Sequence, residues 1–295
     1  MINYLKALKE KHTLLKFLFY PAIAARGFFI QNKLKIQKEL IEGFQGILVN
    51  DPLIRVPEFQ GQFYLDSRSD LFKRILLDKC YEPNLVQCCI NLIDRKRDAI
   101  DIGANVGFFT VLFANILHNR KVLSIEPTKL ARKRLYKNIT LNRVEEKVVV
   151  YEGAATNKTG EIEIKTIEGK EEYSSVGAMT LPCIATETFK IEKVISTTVD
   201  ELVGIYAIDP GFIKIDVEGA EHLVLEGARN TIARRRPIIL IELSDYLLKQ
   251  NGSSGIDVIN FVKKYNYDVI NPIRPNVPLN IKDLRSINNI LCLPK

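Results

Sequence analysis

Hydrophobic positions along this chain follow two alternating patterns. "DAIDIG" (98–103), "KVLSIEP" (121–127), "KVVVYEGAA" (147–155), "GFIKIDVEG" (211–219) and "PIILIEL" (237–243) carry short apolar runs. Four of them lack the polar alternation of a half-exposed strand, which predicts strands buried on both faces. Between them, helical periodicity covers 107–118, 128–142, 219–234 and 255–266. Earlier, "LIRVPEFQGQFYLD" (53–66) reads as two strands about a Gln-Gly turn, and 69–93 as one helix. "YDVIN" and "NNILCLP" are read as closing strands. Strand–helix repetition predicts an α/β, doubly wound, mostly parallel sheet with its ligand at the carboxyl ends of the strands.

Residues 156–199 break the rhythm. An alternating strand, "GEIEIKTIE", leads into a polar stretch over 168–190 and then "KVISTTV". An insertion of that length beside the carboxyl edge predicts a lid or binding loop. Residues 1–45 read as helical, broken near Pro21 and Gly27. The domain boundary is therefore placed at 60, with an N-terminal helical extension and the start of a small hairpin over 1–60 and the main domain over 61–295.

Composition alters little of this picture. The chain has 295 residues, is 46% hydrophobic and 26% charged, and so can bury a full core without staples. Cys80, Cys88, Cys89, Cys183 and Cys292 form no CxxC pair, and His12, His118 and His222 are scattered. Reduced thiols and a cytoplasmic location follow. Net charge is +7, and before residue 50 eight Lys or Arg face only Glu10, Glu39 and Glu42. A basic, partly apolar front of this kind suits peripheral contact with a membrane surface or a solvated helix face. Its apolar stretch is interrupted by Lys16, Pro21 and Arg26, which speaks against a spanning helix. Nucleic acid is disfavoured as a partner, because aromatic residues do not interleave with the basic ones.

The candidate chemistry sits at the strand ends. "DIGANVG" places Asp101 before a turn with Gly103 and Gly107, where bare backbone admits a ligand. This is not the three-glycine dinucleotide fingerprint, and an acid at that point repels phosphate and favours a cation. Glu126 follows about 20 residues later, the interval at which an acid meets ribose hydroxyls. A nucleoside with a cationic, amine-bearing tail fits this pattern, as in S-adenosylmethionine. Further on, "KIDVEGAEH" supplies Asp216, Glu218, Glu221 and His222, and "ILIEL" supplies Glu242. Asp216, His222 and Glu242 are the candidate catalytic groups, as base or orienter of the acceptor. A variant reading places Mg2+ between Asp216 and Glu242. Glu218 and Glu221 suit a helix N-terminus, and Asn138 and Asn142 suit a helix end.

"DIGANVGFFT", "SIEP", "NITLN", "GFIKIDVEGAEHLVLEGA" and "PIILIEL" together resemble the FkbM family of S-adenosylmethionine-dependent methyltransferases, from about residue 61 to the end. The resemblance implies a class I, Rossmann-like, seven-stranded sheet. It also implies O-methylation of a hydroxyl on a sugar, glycan or natural product. Carried over, Asp101, Gly103, Ala104, Asn105 and Gly107 would line the methionine end and the sugar. Glu126 and Pro127 would lie at the ribose, and Glu152, Gly153 and Ala154 near the adenine. Tyr81 and Glu82 are further candidates for cofactor contact. Two competing functions are an S-adenosylmethionine-binding scaffold on a membrane or biosynthetic complex, and a nucleic-acid methyltransferase.

Overall fold

The apolar runs become strands at the centre of an α/β fold. The computed structural model describes residues 51–176, 187–279, 284 and 288–295. These lie in the compact unit Asn50–Lys295. The expected helices of 1–45 and the middle of the polar stretch, 177–186, fall outside the described residues.

In chain order, the elements begin with β1 (Leu53–Val56), β2 (Gly61–Tyr64), α1 (Asp70–Asp78), α2 (Pro83–Leu92), β3 (Asp98–Ile102), α3 (Phe108–Ile116), β4 (Val122–Ile125), α4 (Lys129–Leu141) and β5 (Val148–Tyr151). The insertion carries β6 (Ala154–Ala155), β7 (Gly160–Thr166), β8 (Ser175–Val176) and β9 (Lys190–Thr197). Then come α5 (Val199–Ile205), β10 (Pro210–Ile215), α6 (Glu221–Gly227), α7 (Arg229–Arg235), β11 (Ile238–Glu242), α8 (Asp245–Gln250), α9 (Gly255–Lys264), β12 (Tyr267–Ile270) and β13 (Asn289–Pro294).

The main sheet has seven strands in the order β12-β13-β11-β10-β3-β4-β5. Every pairing is parallel except those of β13, which runs antiparallel to β11 and β12. This is the doubly wound arrangement that the alternation predicts. Strand order reverses beside β3, so its carboxyl end and that of β10 flank the switch point, where such sheets hold ligands. Strands β3, β4 and β10 are buried at every position, as their unbroken apolar runs require. β5 is half-buried throughout, because it is an edge strand.

Three boundaries differ from the sequence reading. The helix expected over 69–93 is two helices: Lys79 and Glu82 take left-handed φ of 58° and 48°, and Pro83 begins the second. Proline at the first helical position supplies no N–H, so it starts a helix rather than continuing one. The helix expected over 219–234 is interrupted at Ala228 (φ −107°, ψ 10°). The run 147–155 splits, because the chain leaves the main sheet after Tyr151 and β6 pairs with β9 in a separate four-stranded sheet. The hairpin of β1 and β2 crosses residue 60, and the sequence reading likewise starts a small hairpin before that point.

Asn138 and Asn142 do more than end their helix. Asn138 is fully buried; its amide nitrogen donates to the carbonyls of Val106 (2.8 Å) and Tyr64 (3.2 Å), and its oxygen accepts from Tyr64 N–H at 2.7 Å. Asn142 makes the matching pair with Gln62 at 2.7 and 2.9 Å. These two amides act as a prosthetic strand edge for β2 and fix the hairpin to the glycine turn. Phe59 and Phe63 on that hairpin then stack on Phe108, with ring centroids 5.0 and 4.4 Å apart. No described helix is long and apolar enough to cross a membrane. Among the described residues Cys80, Cys88, Cys89 and Cys292 are free thiols.

Candidate functional site

A cavity of about 260 Å³ opens at the carboxyl ends of β3, β4, β10 and β11. Each strand contributes an acid at or near its end: Asp101, Glu126, Asp216 and Glu242 all line it. Ala104, Asn105, Pro127 and Ala154 line it too, as do Tyr81 and Gly103. The structure thus brings together most of the residues that the strand ends suggested.

Asp101 is 1% exposed. Its Oδ2 accepts from Thr110 Oγ1 at 2.7 Å, and Thr110 Oγ1 lies 2.7 Å from Ser124 Oγ. Its Oδ1 is buried and has no hydrogen-bond partner. A buried carboxylate oxygen is costly while no donor meets it. Burial pushes the Asp101 pKa up, against the pull of Lys214 and Thr110. Glu126 is held differently. Oε1 accepts from Thr128 N–H (2.9 Å) and Oγ1 (2.7 Å), and Oε2 accepts from Asn105 N–H at 2.9 Å. Asn105 has φ of 49°, so the turn presents its N–H to Glu126 from a left-handed backbone.

Neighbouring protein atoms constrain both glycines, and Gly103 also lines the cavity. A Cβ on Gly103 (φ +78°) would lie 1.7 Å from the Asp216 carbonyl oxygen. The neighbouring strand end fills the space a side chain would take. Gly107 caps α3 and does not line the cavity; a Cβ there would meet Leu135 Cδ1 at 2.7 Å. Glu152 and Gly153 also lie off the lining. The Glu152 carboxylate accepts from Tyr136 Oη at 2.8 Å and pairs with Arg132 at 3.4 Å. His222 stands edge-on to Phe261, ring centroids 5.8 Å apart, and is likewise absent from the lining.

Sequence reasoning missed Lys214. It is buried inside β10, with Nζ 2.9 Å from Asp216 Oδ2 and 4.8 Å from the centre of the Phe109 ring. Burial opposes its charge, but Asp216 and Asp101 together outweigh that penalty and raise its pKa. The lysine supplies the positive charge beside Asp216 that the magnesium reading assigned to an ion. Among the described residues no group of three or more His, Cys, Asp or Glu is arranged to hold a metal, and no observation here supports Mg2+.

The insertion closes one side. Glu172 Oε1 accepts from the N–H groups of Asp70 (2.7 Å) and Leu71 (3.4 Å), at the start of α1. Tyr173 Oη donates to Asp70 Oδ2 at 3.0 Å. Glu172, Tyr173 and Ser174 all line the cavity. A carboxylate at a helix N-terminus satisfies two otherwise unmatched donors, so this part of the insertion is docked as a wall.

Glu221, expected to favour the α6 N-terminus, binds the turn itself. Its Oε1 accepts from Gly219 N–H (2.9 Å) and Val217 N–H (3.4 Å), while Oε2 is buried without a partner. Burial pushes its pKa up to about 7, opposed by those backbone donors. A carboxyl raised on folding adds stability when protonated, and that stability is lost as pH rises toward 7. Glu221→Gln keeps an acceptor for both N–H groups and removes the ionisation cost. Its melting temperature is expected to exceed that of the parent by several degrees at pH 8, about 2–3 kcal/mol, and to match it at pH 4.5. Equal melting curves at both pH values would refute this.

Comparison with known proteins follows the same line. Among solved structures, a methyltransferase FkbM from Methylobacillus flagellatus KT aligns with 17% identity, over 68% of this chain and 45% of its own, at a TM-score of 0.44. TYW2 of M. jannaschii in complex with AdoMet aligns with 12% identity, 82% and 84% coverage and a TM-score of 0.39. A putative rRNA methylase from Clostridium thermocellum gives 10%, 70%, 90% and 0.41. This chain therefore spans under half the length of the Methylobacillus protein. No curated protein sequence matches it. The methyltransferase FkbM domain matches residues 101–269, from Asp101 near the end of β3 into β12. That match takes in more than half of the chain, which belongs to the FkbM methyltransferase family.

Proposed function

We propose that this protein transfers the methyl group of S-adenosylmethionine to a hydroxyl of a sugar, glycan or natural-product acceptor. The observation that carries the reading is Asp101 Oδ1, a buried carboxylate oxygen without a partner, in a cavity whose next strand ends in Glu126. Asp101 suits the ammonium of the cofactor's amino-acid tail. Glu126, at the end of β4, suits the ribose hydroxyls, and Ala154 and Pro127 offer apolar contact for the base. S-adenosylmethionine supplies an electrophilic methyl group on a cationic sulfur.

The chain's own residues supply position and a proton acceptor. An alcohol attacks poorly while protonated, so a base at the acceptor oxygen assists. Asp216 follows β10, between Asp101 and Glu242, and its Oδ2 lies 2.9 Å from Lys214 Nζ. Oδ1 is free to take the proton. Closure by Glu172 and Tyr173 limits water, which would compete for the base. The lining sets seven acids against Arg74 and Lys214, and such a field disfavours a phosphate backbone.

Titration calorimetry with adenosylhomocysteine tests the cofactor assignment. Binding is expected for the parent protein, and Asp101→Ala is expected to weaken it by about tenfold or more, the loss of one charge-assisted hydrogen bond. Unchanged affinity in the variant, or NAD or ATP taking the site while adenosylhomocysteine fails to compete, would overturn the assignment.

A further inference from the structure

We propose that the amino edge of the main sheet, opposite the cavity, docks on an anionic membrane surface. Arg95, Lys96, Arg120, Lys121 and Arg234 meet the lipid headgroups there, and Ile205 enters the interface between headgroups and acyl chains.

The two edges of the sheet carry opposite charge. Acids stand at the carboxyl ends of β3, β4, β10 and β11, around the cavity. At the other end, the loops that lead into the same four strands are 94–98, 118–121, 207–210 and 234–237. They hold eight Lys or Arg against three Asp. These loops form one patch. Arg97 bonds Asp209 Oδ1 (3.1 Å) and the carbonyls of Pro210 (2.7 Å) and Arg235 (3.0 Å). Arg235 reaches Asp209 Oδ1 at 3.5 Å, and Lys121 N–H donates to Asp98 Oδ1 at 2.9 Å. Arg97 foremost, then Arg235 and Arg120, lower the Asp209 pKa, which places Arg120 in the same neighbourhood. Neighbouring strands lie about 4.8 Å apart, so the row from β11 to β4 is about 14 Å wide.

The fold accounts for part of this charge only. Arg97 and Arg236 hold backbone carbonyls, as cations do where helices end. Arg235 pairs with Asp209. Arg95, Lys96, Arg120, Lys121 and Arg234 are exposed, and their side chains make no hydrogen bond or ion pair with any described residue. Like charges crowded on one edge repel one another, and an anionic surface relieves that repulsion.

Ile205 tells which anionic surface. It ends α5 and is 71% exposed, the highest value for a large apolar side chain among the described residues. Asp200, in the first turn of α5, accepts from Asn230 N–H (2.9 Å) and Thr231 N–H (2.7 Å) at the start of α7. The two helices therefore begin together, and each leads into a strand at the amino edge. Ile205 and Arg234 thus share that edge. A bare aliphatic side chain beside unpaired cations suits an anionic bilayer, where apolar burial and electrostatic attraction add. Nucleic acid fits less well. The four loops contain no Phe, Tyr or Trp on which bases could stack. Strands of four to six residues also put about 13–20 Å between this edge and the cavity. Docked on a bilayer in this way, the cavity faces the aqueous side.

The test is flotation of the full chain with vesicles of phosphatidylcholine, alone or mixed with phosphatidylserine. Binding is expected to the mixed vesicles only, and to weaken as salt is raised. Each cation near an anionic leaflet adds about fivefold to the partition, so Arg95→Gln/Lys96→Gln/Arg120→Gln/Lys121→Gln is expected to weaken it by about 100-fold or more. Lys129→Gln/Lys133→Gln/Lys158→Gln/Lys193→Gln makes the same charge change away from this edge and is expected to weaken it far less. Residues 1–49 are present in every protein, so their own contribution is common to all. The chain has no tryptophan, so Ile205→Trp adds a single fluorophore that does not depend on the fourfold variants folding. Its emission is expected to shift to the blue on mixed vesicles, while that of Ile256→Trp, at the start of α9, stays in place. Three outcomes overturn the proposal: no binding to mixed vesicles, equal losses in the two fourfold variants, or an unshifted Ile205→Trp. RNA or DNA retained by the parent and released by the edge variant, with no vesicle binding, would give the edge to nucleic acid instead.

Discussion

Gly103→Ala is expected to yield a protein that melts at least about 10 °C lower than the parent or fails to fold, and that no longer binds adenosylhomocysteine. The added Cβ would sit 1.7 Å from Asp216 O and 2.8 Å from Asp216 C. Neither atom can retreat. Asp216 N–H donates to Ile102 O at 3.0 Å and Gly103 N–H to Ile125 O at 3.0 Å, so both strand ends are clamped into the sheet. Relief requires parting β3 from β10 at the point where the cofactor acid and the candidate base face each other. The left-handed φ of +78° adds its own strain, about 1–2 kcal/mol for a residue with a Cβ. Gly252 separates the two contributions. Its φ is +77° and no atom lies within 4 Å of where an added methyl would stand, so Gly252→Ala carries the backbone strain without the collision. Thermal melts and adenosylhomocysteine titrations of both variants are the measurement. A Gly103→Ala melt no lower than that of Gly252→Ala would show that the strand ends yield easily.

The glycine turn was legible in the sequence as a special place. Gly-x-x-x-Gly after an apolar run marks backbone that tolerates no side chain; whether ligand or protein fills the space depends on Asp216, more than 100 residues away. Strand-end acids were legible because β3, β4, β10 and β11 are apolar runs, and the first acid after such a run falls at the carboxyl edge. Lys214 went unseen because the same rule treats a charge within the run as noise. A lysine in the middle of "FIKID" cannot face water in a strand buried on both faces, so it must find an anion, and that signal was available. The wall made by Glu172 and Tyr173 was not. They meet Asp70 and Leu71 across about 100 residues with no periodicity to mark them. His222 was picked for its chemistry, which says nothing about direction; as the second residue of α6 it stands edge-on to Phe261. Two short helices had readable caps that periodicity overlooked. Thr198 and Glu201 form a capping box at α5, and Ser244 accepts from Leu247 N–H at α8.

Asp216→Asn is expected to lower turnover by about 100- to 10,000-fold, the usual contribution of a general base, while adenosylhomocysteine binding persists. Asparagine keeps the size and an acceptor for Lys214 but cannot take the hydroxyl proton. Lys214→Met distinguishes a base from a merely structural acid. Lys214 Nζ bonds Asp216 at 2.9 Å, and its charge lowers the pKa of Asp101, Glu218 and Glu242. Without it, a cluster of buried carboxylates faces itself. Each member then holds its proton to higher pH, because the ionised form has lost its neighbouring cation. Activity that needs these buried carboxylates ionised rises as pH rises, so in Lys214→Met the acidic limb of the kcat profile moves upward. The variant regains part of its rate at alkaline pH, whereas Asp216→Asn stays low at every pH. The parent unfolds less readily than Lys214→Met by about 3–5 kcal/mol at neutral pH, as expected when one partner of a buried pair is removed. Full turnover in Asp216→Asn removes Asp216 from the chemistry, and a Lys214→Met profile that keeps the parent's limb reduces the lysine to packing.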